Sequence, residues 1–347
     1  MLAALLYGPK DLRLKDIKIP EINENEVLLK VKSAAVCGTD VRMYNNGYAG
    51  IDSENPRILG HELSGIIAGV GRNVRKYKEG MAVAAAPNMG CGSCDHCVSG
   101  NTQLCSDYQA FGINLDGGFA EYVRISDSAM RQGNIIELDE SISFEEAALN
   151  EPLSCVYNGF LRCDIKPGDI VLVIGAGPIG IMHAKLAKMA GAVRVIINDI
   201  SDERLEVCRQ VDSSFITIGS CGLKDNIEKL TKGKGVDVCI VACPSPQAQA
   251  GALELMAVNG RINFFGGLPK DREVVGINTN LIHYKQLIVT GSTRASITQF
   301  RKTLSFISGG IINVGDLIST RFTLDKIMNA FKMAEKTSGL KNVINFE

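Results

Sequence analysis

Four cysteines, Cys91-Gly-Ser-Cys94-Asp-His-Cys97 and, after seven intervening residues, Cys105, constrain this chain more than any other stretch. Thiols this close in sequence can close a tetrahedral shell around one zinc ion, with zinc–sulfur distances of about 2.3 Å and no place left for water or substrate. The stretch reads as a structural metal site, so chemistry has to happen elsewhere. A disulfide pair or four unrelated core cysteines are the alternatives, and Gly90, Gly92 and Gly100 give the loop the freedom that ligation needs. With four sulfurs filling the shell, His96 is left as a solvated side chain.

At 347 residues the chain is longer than one core usually organises, and two domains are expected. Hydrophobic residues make up 46% and charged ones 22%, with Lys+Arg 37 against Asp+Glu 38. A globular protein without a strong field follows, which argues against nucleic acid or an anionic membrane as partner. Lys10, Asp11, Arg13, Lys15 and Asp16 leave no room near the start for a secretory or spanning segment. The remaining cysteines are scattered through apolar segments, as in a reducing compartment, and a cytoplasmic location is expected.

Short apolar runs separated by turn residues, Leu2 to Leu6, Val27 to Val31, Leu63 to Val70, Met81 to Ala86 and Phe119 to Ile125, make residues 1–150 mainly β. A helix broken near Pro152 is expected between Ser143 and about Arg162. From Asp169 the texture becomes strand and helix in alternation: Ile170 to Ile174, Val193 to Ile197, Phe215 to Ile218, Val236 to Ala242, Arg261 to Phe265 and Leu287 to Thr290. That pattern predicts a doubly wound parallel sheet over 151–292. The tail, 293–347, with a helix over Ile297 to Ser308 and a closing strand at Val343 to Phe346, is expected to return to the first lobe.

The run Ile170 to Ile174 leads into Gly175-Ala-Gly177-Pro178-Ile179-Gly180 and a predicted helix, a context that turns a weak motif into a dinucleotide fingerprint. Gly175 makes the tight turn, Gly177 lets the backbone approach a pyrophosphate, and Gly180 lets helix and sheet pack closely. The phosphates would sit on the free N–H groups of the helix start. Asp199 ends the second strand, where a carboxylate bonds the ribose hydroxyls and repels a 2′-phosphate, so NAD is expected over NADP. Arg204 is the one nearby group that could serve a phosphate.

Cys37-Gly-Thr-Asp40, Gly60-His61-Glu62 and Asn150-Glu151-Pro152 supply a soft, a borderline and a hard donor, the kind of set an open catalytic zinc uses. Alone, a buried cysteine is packing and a strand-edge histidine a hydrogen bond. With Asp116-Gly-Gly-Phe-Ala-Glu-Tyr122, the four-cysteine lobe and the Gly175 turn, these segments resemble the zinc-dependent medium-chain alcohol dehydrogenases along the whole chain. The similarity is greatest to the polyol branch of sorbitol, sugar-alcohol-phosphate and threonine dehydrogenases. The resemblance implies an α/β fold, a GroES-like β-rich catalytic domain joined to a Rossmann domain, with one catalytic zinc between them and one structural zinc. It implies Cys37 and His61 as ligands, Glu62 and Glu151 as acidic ligands or water-holding neighbours, and Thr39 as a relay hydroxyl, unless Thr39 only caps the helix that starts there.

Zinc lowers the pKa of a bound hydroxyl, as it lowers that of water from about 15.7 to roughly 7, and the resemblance implies an alkoxide that gives hydride to nicotinamide. Where many relatives carry a histidine to receive the proton this chain has Arg42. Arg42 and Arg294 are the candidate partners for a substrate phosphate or carboxylate, or else exposed arginines. Glutamate in place of a second cysteine, with no tryptophan in the chain, favours a polyol or polyol phosphate. Threonine oxidation at its hydroxyl carbon is the alternative within enzymes, and a catalytically dead NAD-binding sensor the alternative outside them. The resemblance also implies a homodimer or homotetramer built through a strand such as Leu287 to Thr290.

Overall fold

In Val27–Ala35 the side chains of Val27, Leu29 and Val31 fall on one face and are buried, while Leu28, Lys30 and Lys32 alternate with them and are partly exposed. This strand organises a seven-stranded sheet in the order Ile135–Glu137, Ala82–Ala85, Glu62–Val70, Val27–Ala35, Lys341–Asn345, Ile318–Thr323, with Tyr122–Ile125 also pairing on Val27–Ala35. Its pairs are antiparallel except the last, Ile318–Thr323 with Lys341–Asn345, which is parallel. A three-stranded sheet of Leu12–Asp16, Leu2–Leu6 and Arg57–Ile58 lies in the same unit. Phe111, Phe119, Phe331 and Leu59 are among the largest side chains closed off in its core.

The computed structural model describes residues 1–336 and 339–347. It divides into two compact units, Met1–Ser154 with Arg294–Glu347, and Cys155–Thr293. The second holds six parallel strands in the order Ile216–Ile218, Arg194–Asn198, Ile170–Ile174, Val236–Val241, Met256–Phe264, Ile288–Gly291. Counting along the chain this is 3-2-1-4-5-6, with the order reversing beside Ile170–Ile174, the place where such sheets bind dinucleotides. Leu172, Val173, Ile196, Ile197, Cys239 and Ile240 are fully buried, as strands covered on both faces require.

Two readings of the sequence change here. The helix expected to break near Pro152 is one continuous element, Phe144–Cys163. Proline removes a single helical N–H, and the residues around it, from Leu149 to Ser154, are buried; Ser154 Oγ donates to Glu151 O at 2.6 Å. The tail also carries a strand, Ile318–Thr323, and a helix, Ile327–Glu335, that its composition did not announce. Among the described residues no helix is long and apolar enough to cross a membrane.

Candidate functional site

The antiparallel register of Val27–Ala35 with Glu62–Val70 sets Ala35 opposite Glu62. Cys37, two residues past the end of one strand, and His61, one residue before the other, therefore meet at the same edge. The donor atoms of Cys37, His61 and Glu62 lie within 4.8 Å of one another, with His61 and Glu62 buried and Cys37 partly so. Thiolate, imidazole and carboxylate form a donor set that suits zinc. Glu151, buried on the helix Phe144–Cys163, stands outside that group of three.

Behind these donors stand two charged residues that the sequence reading did not assign. Asp40 is fully buried; its carboxylate accepts from Cys37 N–H at 2.9 Å and Gly60 N–H at 3.2 Å. Its Oδ1 also faces His61 Nδ1 at 3.5 Å, an electrostatic contact rather than a hydrogen bond. Asp40 thus caps the helix Gly38–Asn46 and orients the imidazole with one carboxylate. Burial works against a charged His61, but the negative charges of Asp40 and Cys37 outweigh it and hold its pKa well above the usual value.

Lys341, on the closing strand, is the second such residue: its Nζ stands 2.5 Å from both carboxylate oxygens of Glu62 and 3.3 Å from Val36 O. Burial disfavours the ammonium, yet the charges of Glu62 and Cys37 keep its pKa above the ordinary lysine value.

Thr39 sits in the first turn of its helix, where the capping role belongs to Asp40, and its Oγ1 accepts from Arg42 at 3.3 Å on an exposed face. The guanidinium of Arg294 lies 3.7 Å over the ring of Tyr108 and donates to Gln103 O at 3.0 Å. It is engaged with the four-cysteine lobe, and its backbone holds a positive φ of 55°.

In that lobe the four sulfurs also lie within 4.8 Å of one another. Cys91 and Cys97 are 4.0 Å apart and Cys94 and Cys105 3.7 Å, close to the edge of about 3.8 Å expected of a tetrahedron with zinc–sulfur distances of about 2.3 Å. N–H groups of Cys91 and Cys94 point at the sulfurs of Cys105 and Cys91, respectively. Backbone and side-chain hydrogen bonds from Ser93 bring Cys91 down to about 6, while burial pushes the Cys97 thiol up to about 12. A bound cation would hold both as thiolates.

In the second unit Gly175 takes a φ of 116° after the strand Ile170–Ile174. A Cβ on Gly180 would meet Gly175 O at 1.8 Å, whereas one on Gly177 would meet nothing within 4 Å. Gly180 lets helix and strand touch, and Gly177 keeps open ground before the helix Pro178–Met189, whose first two residues are Pro178 and Ile179. Asp199 Oδ2 accepts from Ala176 N–H at 2.7 Å and Oδ1 from Ser201 N–H at 2.9 Å, tying the turn to the end of the second strand. Two bonds leave a carboxylate further lone pairs for a ribose. Arg204 Nη1 is 3.8 Å from Asp199 Oδ2.

Two family models match, Alcohol dehydrogenase GroES-like domain over residues 23–132 and Zinc-binding dehydrogenase over 178–309. Sorbitol dehydrogenase of Bacillus subtilis is 32% identical over 96% of this chain and 93% of its own length. L-threonine 3-dehydrogenase of the same organism is 34% identical over 92% and 91%. Among solved structures, a zinc-binding dehydrogenase of Sinorhizobium meliloti bound to NADP superposes with a TM-score of 0.90 at 28% identity, covering 99% of both chains.

Proposed function

This chain belongs to the zinc-dependent medium-chain alcohol dehydrogenases of the polyol branch, and from that premise we propose that it oxidises a secondary alcohol of a polyol or polyol phosphate to the ketone with NAD. The alcohol loses a hydride to NAD and a proton to the surroundings, giving ketone, NADH and one proton. The observation that carries the reading is the donor group of partly buried Cys37 with buried His61 and Glu62 in a chain that also bears the Gly175 to Gly180 turn.

Cys37 and His61 would hold a zinc ion, with Glu62 and Glu151 on the acidic side of the site and Asp40 behind the imidazole; the chemistry such an ion would supply there is Lewis acidity toward an alcohol hydroxyl. The Thr39 hydroxyl receives the proton; with Arg42 donating to it, its own hydrogen is free to point away and pass charge outward. In the second unit the N–H groups after Gly177 bind the pyrophosphate and Asp199 the adenosine ribose. The NADP carried by the Sinorhizobium relative makes Asp199 the deciding residue: a buried carboxylate already bonded to the turn repels a 2′-phosphate, so kcat/KM with NAD exceeds that with NADP at least tenfold.

A panel of sorbitol, xylitol, galactitol phosphate and threonine, followed at the nicotinamide absorbance, tests the substrate class. Activity on a polyol supports it, and silence on every polyol with turnover of threonine replaces it by the second reading, L-threonine 3-dehydrogenase, which the 34% identical relative favours. An inactive NAD-binding relative would hold one zinc per chain in place of two. Among the described residues no cysteine is joined in a disulfide, which suits the cytoplasm. The edge strand Ile288–Gly291, with Ile288 exposed, suits pairing between two copies; light scattering reads the assembly.

A further inference from the structure

Lys341 to Ile344 are all buried on the closing strand, and of these Asn342, Val343 and Ile344 carry no charge. At position 341 an ammonium is taken out of water, at 4% exposure, to meet a carboxylate at 0%. Burying two charges is unfavourable unless each finds close partners. Lys341 finds both oxygens of Glu62 and the carbonyl of Val36, the residue before Cys37.

What the pair does follows from counting charge. Cys37 as thiolate, Asp40 behind His61, Glu62 and Glu151 place four negative charges around a site meant for one divalent cation. Four anions exceed the ion's charge and weaken its pull on an alcohol; a fixed ammonium against one of them lowers that excess. Holding both oxygens of Glu62 also decides where that carboxylate points. We propose that Lys341 is a positioning residue of the metal centre, fixing the Glu62 carboxylate by both oxygens and offsetting its charge so that the bound ion keeps its Lewis acidity. The proposal rests on the reading of Cys37 and His61 as zinc ligands.

Cobalt(II) in place of zinc reports the site by its visible absorption, in the full-length chain with both metal sites filled. In Lys341→Met the second cobalt binds at least as tightly as in the wild type, because a positive charge has left its surroundings. Its visible bands shift and weaken as the freed carboxylate turns to the metal, and kcat/KM for the alcohol falls about 10–100-fold, the usual effect of losing a partner behind a ligand. Lys341→Arg, whose guanidinium meets a carboxylate by two parallel bonds, restores the wild-type bands. Glu62→Gln with Lys341→Met removes both charges and recovers thermal stability that Lys341→Met alone loses, which keeps the test open if the single variant folds poorly.

Wild-type bands and turnover in Lys341→Met overturn the proposal. So does a loss of cobalt that only tracks loss of fold, and so does a double variant no more stable than the single one. A wild-type chain that takes up two ions and oxidises a polyol while its spectrum ignores Lys341 defeats this inference alone. A wild-type chain that takes up only one ion defeats the dehydrogenase reading and this inference with it.

Discussion

Asp40 places three contacts on one carboxylate, two holding the backbone at Cys37 and Gly60 and one facing the His61 ring. Asp40→Asn keeps an acceptor for one backbone N–H but removes the charge behind the imidazole, so affinity for the catalytic ion falls about 10–100-fold. Competition with a chromophoric chelator measures this, and the four-cysteine ion serves as internal control: its loss in parallel would mean a general loss of fold. That the four cysteines gather and that Cys37 meets His61 and Glu62 was readable as an expectation, because metal donors and turn glycines are marked by residue type and the motifs around them. Asp40 was not, because an acid three residues past a helix cap reads as a capping box, and here it performs that task as well. Lys341 was hidden further: 279 positions separate it from Glu62, and its one signal is a lysine opening an apolar closing strand. Arg294 is a different case: a candidate for a substrate phosphate or carboxylate, or else an exposed arginine, it has its guanidinium engaged with Tyr108 and Gln103.

At the scale of elements, the glycine turn separates two requirements that the motif alone runs together. Gly180→Ala forces a Cβ against Gly175 O, where the gap would be 1.8 Å, and overpacking of this kind costs about 1–3 kcal/mol; the second unit melts at lower temperature. Gly177→Ala meets nothing within 4 Å, so its melting temperature without cofactor stays at the wild-type value. The added methyl stands where the pyrophosphate would pass, and NADH binding weakens by at least about tenfold, equal to about 1.4 kcal/mol. Calorimetry and NADH fluorescence on the two variants read these effects apart, and equal losses of stability in both would contradict the assignment. The alternation from Ile170 onward was legible because buried parallel strands read as unbroken apolar runs between turn residues. The helix through Pro152 was not, because proline's cost is local and the packing that outweighs it is not.

Across the whole molecule, the closing strand Lys341–Asn345 joins distant parts of the chain by lying between Val27–Ala35 and Ile318–Thr323. Apolar periodicity could mark it as a strand, but its partners are chosen by register across the length of the chain, which spacing does not record. Val343 and Ile344 are fully buried, each contributing about 1.5–3 kcal/mol, and losing the strand also strands Glu62 without its ammonium. Breaking a buried ion pair by removing one partner costs about 3–5 kcal/mol, so together these losses rival the whole stability of a domain, about 5–15 kcal/mol. The second unit draws on none of this: its six strands and its core of Leu172, Ile196, Cys239 and Ile262 fall within Cys155–Thr293. A chain ending at Leu340 should therefore lose its catalytic ion and its activity while still binding NADH. Elemental zinc and NADH fluorescence on the same sample test this, and a truncated chain that keeps both ions and turns over a polyol would show that the first unit stands without its closing strand.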